Sequence, residues 1–224
     1  MVERTHSHID TVIQSDKKYG IMKPINGEYF TWQALDTSDN EVSERMLDRG
    51  VKLAWQSWAL RIPFKFKKAK PWETPDFKLI FRTPNTGERK EMKCNTIMYH
   101  YFPISKTNHE SRGRCVINSD FHFTVHGEGV PMYKVDPKNY DKNSTIKAST
   151  IDLDVVLRHE FGHGLGLPHD PIPGNTMSTS YNTLNEFLQE RDIKRIQAKY
   201  GVRQMLFYFL KRWLNYIYNR SDTY

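Results

Sequence analysis

The chain has 224 residues, of which 38% are hydrophobic, with 33 Lys and Arg against 26 Asp and Glu and a mean hydropathy of −0.70. That length suits one globular domain with a proper core and excludes a multidomain assembly. No run approaches the eighteen apolar residues of a membrane helix, and the opening residues lack the apolar stretch of a signal peptide, so a chain without a secretion signal is expected. Two cysteines, Cys94 and Cys115, exclude a disulfide scaffold and a cysteine-ligated zinc module. One bridge or two buried thiols are the readings they leave. The net charge of +7 permits attraction to polyanions, but no nucleic-acid motif accompanies it, and solvated lysine faces account for it.

Residues 1–28 form a polar leading segment. Residues 29–35, rich in aromatic strand formers, are expected to be the first strand. Ser38 with Glu41 then offers a capping signal, and Val42, Met46, Leu53, Ala54 and Trp58 recur at helical spacing through Gly50. Phe64 and Phe66 alternate with Lys65 and Lys67, and Phe77, Leu79 and Phe81 with Lys78, Ile80 and Arg82, so both runs read as strands. The basic cluster Arg61, Lys65, Lys67, Lys68 and Lys70 is then the solvent face of a strand. Two more β-like runs span 95–102 and 115–125, and 126–149 has the composition of a long surface loop. A helix capped by Asp152 or Asp154 follows and ends at Gly164 and Gly166, and the last helix of the domain is expected over 184–200, stopped by Gly201. Beyond it, Leu206, Phe209, Leu210, Trp213 and Ile217 share one helical face in an aromatic tail, 202–224. An extra helix packed on the domain and a peripheral membrane contact through residues 205–218 are its two readings.

The chemistry lies in the run from His159 to Asp170. On a helix, His159 and His163 lie four apart with Cβ atoms about 5–6 Å apart, so both imidazoles can hold one ion at about 2.0–2.1 Å. Glu160 projects from nearly the same side, where a carboxylate can take a proton from an activated water and return it to a leaving amine. The third ligand needs a chain reversal, which Gly166 permits, so that Leu167-Pro168 presents His169. Three protein nitrogens leave one coordination position open, as in a catalytic rather than a structural zinc site.

The pattern H-E-x-x-H-x-x-G-x-x-H followed by a methionine resembles the metzincin metallopeptidases. Met177, eight residues past His169, and Tyr181, four further on, are spaced as in the matrix metalloproteinases (matrixins), and the resemblance implies a methionine beneath the metal site and a tyrosine helping to wall the S1′ pocket. Leu188, Asp192-Ile193, Ile196-Gln197 and Tyr200-Gly201 look like the matrixin ending. Ala54-Trp55-Gln56-Ser57-Trp58 and Pro63-Phe64-Lys65-Phe66 look like its first helix and second strand. The resemblance covers residues 29–201 and implies a metzincin-type (zincin-like) α+β fold, with a mixed, twisted five-stranded sheet, about three helices and a C-terminal helical extension. It implies one catalytic zinc on His159, His163 and His169, Glu160 as general base, and a protein or peptide substrate lying extended along the sheet's edge strand. A non-catalytic binding module on the same scaffold is the alternative. The chain departs from the pattern at Asp170, where matrixins usually have serine. The segment for structural zinc and calcium is poorly matched. His100 and His122 stand near ligand positions of that family, and a second zinc or calcium site and ordinary strand histidines are the two readings for them. No cysteine-switch propeptide is visible, and matrixins usually act outside cells.

Overall fold

Strand β1, Tyr29–Asp36, lies between β2, Lys65–Lys68, and β3, Phe77–Arg82, both parallel to it, in the computed structural model. The structure describes residues 19–36, 42–82, 96–103, 111–125, 151–179 and 187–203. Two further strands, β4, Met98–His100, and β5, Arg114–Asn118, complete a five-stranded sheet of order β2-β1-β3-β5-β4, in which only β4 is antiparallel. The expected mixed sheet is therefore present. The central strand β3 buries Phe77, Leu79, Ile80 and Phe81, so both its faces are covered. A separate parallel pair joins β6, Phe123–Thr124, to β7, Ile151–Asp152. The run expected over 115–125 is thus two strands, broken by a turn in which the Asn118 side chain accepts from the Asp120 N–H at 3.0 Å.

Three helices occur among the described residues: α1, Glu44–Ala59; α2, Leu153–Gly164; and α3, Glu190–Tyr200. Helix α1 is capped by Ser43, whose hydroxyl accepts from the Met46 N–H at 3.2 Å, while Ser38 and Glu41 lie outside the described residues. Asp152 occupies the N-cap position of α2 without a side-chain bond into its first turn. Helix α3 starts at Glu190 behind the extended N-cap Gln189, later than its apolar spacing predicts, and residues 184–186 of the expected helix lie outside the described residues.

Helix α2 is buried along its whole length except at His159. Its register against α1 is set by polar bonds as well as by apolar contact. The Trp58 indole donates to the Arg158 carbonyl at 3.0 Å, and the Arg158 guanidinium donates to Ser57 Oγ at 2.9 Å and pairs with Asp154 at 3.2 Å. Between the helices and the sheet, Trp55 is sandwiched by Phe66 on one face and Phe161 on the other, at 4.0 and 3.8 Å between ring centroids.

Two of the five residues of the basic cluster are paired with acidic groups. Lys68 bonds Glu44 and Asp48, and Lys67 pairs with Glu73 and lies over the Tyr29 ring. Cys115 is a buried free thiol, which burial pushes well above the usual range; Cys94 lies outside the described residues. So do the tail beyond residue 203, including the segment read as a membrane contact, and the 126–149 run. No described helix is long and apolar enough to cross a membrane.

Candidate metal centre

His159 and His163 project from the last two turns of α2, and the helix ends one residue after the second of them. Gly166 then adopts φ +88°, a conformation that L side chains rarely adopt. A Cβ there would also lie 2.3 Å from the Gly20 carbonyl oxygen. The reversal brings His169 back, and the Nε2 atoms of His163 and His169 stand 3.1 Å apart. One ring nitrogen from each of the three histidines falls within 4.8 Å of the others, and no other group of three His, Cys, Asp or Glu side chains among the described residues does so.

The outer ring nitrogens determine what the inner ones can do. His159 Nδ1 lies 2.6 Å from the Thr176 carbonyl and His163 Nδ1 lies 2.7 Å from the Leu167 carbonyl. A carbonyl only accepts, so each Nδ1 carries the proton and each Nε2 presents a lone pair. Burial holds the His159 and His163 imidazoles neutral, bringing His159 down to about 4 and His163 well below its ordinary value, and partial desolvation lowers His169 as well. Two lone pairs fixed in this way, with the His169 imidazole converging on them, are a donor set for a borderline cation, and they fit zinc.

Glu160 is 6% exposed, and burial raises its carboxyl to about 8. The carboxyl accepts from the His100 backbone N–H, and Oε2 is buried with no partner among the described residues. Strand β4 bonds to β5 through odd-numbered residues, since the Tyr101 N–H donates to Arg114 and the Asn118 N–H to the Ile97 carbonyl. The even-numbered main-chain groups, His100 among them, therefore face away from the sheet, toward Glu160.

Met177 is fully buried, directly under α2. A Cβ at Gly162 would lie 2.3 Å from its sulfur and 3.0 Å from the Trp58 ring. Gly162→Ala is expected to cost about 1–3 kcal/mol through overpacking, read as a lowered urea midpoint with unchanged slope.

The loop carrying His169 and Met177 is clamped by α3. Asp170 bridges to Ser178, its N–H donates to the Met177 carbonyl at 2.7 Å, and its carboxylate is shared by Arg191 and Arg195. Arg195 also donates to the Pro168 carbonyl at 2.8 Å, and Asp192 accepts from the Thr176 N–H at 2.8 Å. The serine-to-aspartate departure thus belongs to an ion-pair clamp, whose arginines the sequence reading missed.

Neither His100 nor His122 joins a metal-binding group of three among the described residues. His100 points inward from β4, bonds the Tyr101 carbonyl at 2.7 Å through Nδ1 and lies edge-on to Phe77. Its parity on the strand is the physical reason: Met98 and His100 take the buried side and Tyr99 the outer one. His122 is exposed in the turn before β6. Tyr181 lies outside the described residues.

The histidines make the metal-free protein acid-sensitive. His159 and His100 sit at about 4 when folded, and His163 and His169 are also lowered, against about 6.5 unfolded. As pH falls from about 6.5 to 4 the unfolded chain takes up these protons first, so the stability present above 6.5 is lost. Glu160, Asp76 and Asp192, raised when folded, act in the opposite direction, but they are three groups against four, and the two aspartates titrate toward the acid end of the range. Urea midpoints of chelated protein should therefore fall between pH 7 and pH 4, and a flat profile would contradict the buried neutral imidazoles.

An α+β domain whose paired helix histidines are joined by a third across a glycine reversal, over a buried methionine, is the metzincin arrangement, and it puts the chain among the zinc metallopeptidase folds. Sequence comparison narrows the class: the model of the matrixin family, peptidase family M10, matches residues 25–201, and the chain belongs to that family. It is 28% identical over 166 residues to human neutrophil collagenase, covering 72% of this chain and 30% of the relative. It is 29% identical over 166 residues to mouse matrilysin, covering 72% and 53%, and 27% identical over 164 residues to human matrix metalloproteinase-20, covering 71% and 29%. The matches span about a third to a half of those relatives' length.

Proposed function

We propose that this domain is a zinc-dependent endopeptidase that hydrolyses peptide bonds in protein substrates. The observation that carries the reading is the histidine triad, with two tautomers fixed by main-chain carbonyls so that the lone pairs converge. Zinc, when bound there, polarises the scissile carbonyl and activates a water. Glu160 acts as general base and then as general acid, taking a proton from the attacking water and passing it to the leaving amine. A cation at the triad favours its ionised form, offsetting the burial that raises its carboxyl in the metal-free chain. Substrate lies extended along β4 and bonds the even-numbered main-chain groups left open by the pairing with β5, apart from the His100 N–H that Glu160 holds. Met177 supports the site from beneath, and the matrixin resemblance implies that Tyr181 helps to wall the S1′ pocket.

A quenched-fluorescence peptide assay tests this directly. Hydrolysis that disappears with a chelator and returns with added zinc is expected. A zinc-loaded chain that cleaves no member of a proteome-derived peptide library would overturn the proposal in favour of a binding module.

A further inference from the structure

A second concavity, of about 410 Å³, opens between α1 and the β1–β2 edge of the sheet, and none of its lining residues belongs to the metal centre. Trp32, Trp55, Phe66 and Ala59 provide its apolar wall, with Asp48, Lys52, Gln56, Lys67 and Lys68 around them. Lys68 is held by Glu44 and Asp48, and Lys67 by Glu73, so most of the rim charge is already compensated and the opening selects for apolar groups rather than for an anion. The Trp55 indole N–H is buried without an acceptor among the described residues, which is costly unless something supplies one.

The main chain passes this opening as it leaves the described residues. The Arg203 guanidinium donates to the carbonyl of Ala59, a wall residue. The neighbours of these two, Leu60 and Val202, are 58% and 62% exposed, extending the uncovered apolar surface toward the point of departure. Immediately beyond lie Leu206, Phe209, Leu210, Trp213 and Ile217, apolar residues at helical spacing, with Lys211 and Arg212 off that face. Six residues of chain span up to about 20 Å, whereas Trp55 is one helical turn from Ala59, about 6 Å. Phe209 can therefore reach the aromatic wall.

We infer that the C-terminal segment, residues 204–224, docks its Leu206, Phe209 and Trp213 face into the concavity between α1 and the β1–β2 edge. The segment then serves as a cover for its own domain and not as a membrane anchor.

The full chain with Phe209 replaced by the photo-cross-linker p-benzoylphenylalanine tests this. After irradiation and proteolysis, the dominant within-chain cross-links are expected on residues 48–68, above all next to Ala59. They should be lost in the Ala59→Trp background, where the added indole fills the concavity, with the zinc content of that variant checking that the domain is folded. Dominant cross-links elsewhere in the domain, between two copies, or to anionic phospholipid vesicles added to the sample would each overturn the inference.

Discussion

Glu160→Gln should lower peptide hydrolysis by about 10²- to 10⁴-fold, the share that a positioned general base supplies. The amide has the same shape and retains an oxygen for the His100 N–H, but it cannot take up a proton at neutral pH. The proposed metal site consists of three histidine nitrogens without the carboxylate, so zinc bound per chain should be unchanged. Replacing a buried ionisable group by a neutral one should also leave the urea midpoint of the metal-free form no lower, since burial already disfavours the charge. The measurements are steady-state hydrolysis and metal content on the same preparation. Undiminished turnover would remove Glu160 from the chemistry, and loss of zinc would make it a ligand.

Asp170→Ala should have the largest effect on stability. The carboxylate is wholly buried, and it is shared by Arg191, 11% exposed, and Arg195, fully buried. Removing one partner from a buried ion pair costs about 3–5 kcal/mol, because the remaining charge stays desolvated. Asp192, 4.0 Å from Arg195, and the Pro168 carbonyl compensate in part, so a value toward the lower end is expected. The same change loosens the loop that carries His169, and zinc affinity should weaken by about 10- to 100-fold, as when the supports of metal ligands are removed. Chemical unfolding of chelated protein and competitive zinc titration separate the two effects. A variant that unfolds at the same urea concentration as the parent would show that the ion-pair clamp contributes nothing.

Much of this site is legible from local spacing. His159 and His163 are one helical turn apart, Gly166 can take the positive φ the reversal needs, and His169 follows at once, so their convergence is a short-range property of the chain. The sheet order is carried by strands whose aromatic alternation is visible at Phe64–Phe66 and Phe77–Phe81. What spacing does not reveal is which side of an element faces inward and which distant residue answers a buried charge. His100 reads as a metal-ligand candidate until the pairing of β4 with β5 fixes its parity and turns it into the core. Asp170 reads as a family departure because Arg191 and Arg195 come 21 and 25 residues later, beyond the reach of local spacing. Gly162 has no local signal at all, since its need for hydrogen in place of a side chain comes from the Met177 sulfur beneath it.

The clamp from α3 also imposes an order of events during synthesis. The residues that fix Asp170, Pro168 and Thr176 are Arg191, Arg195 and Asp192, and the turn at Leu165 is held by Tyr200, whose hydroxyl donates to its carbonyl while accepting from the N–H of Met22. A ribosome therefore delivers all three histidines before the chain that locks them, and the first residues of the fold must wait for the last to close the same junction. Contacts of such long sequence separation form late in folding. A growing polypeptide interrupted before residue 200 therefore carries the three histidines without the brace from α3 that steadies the loop holding them.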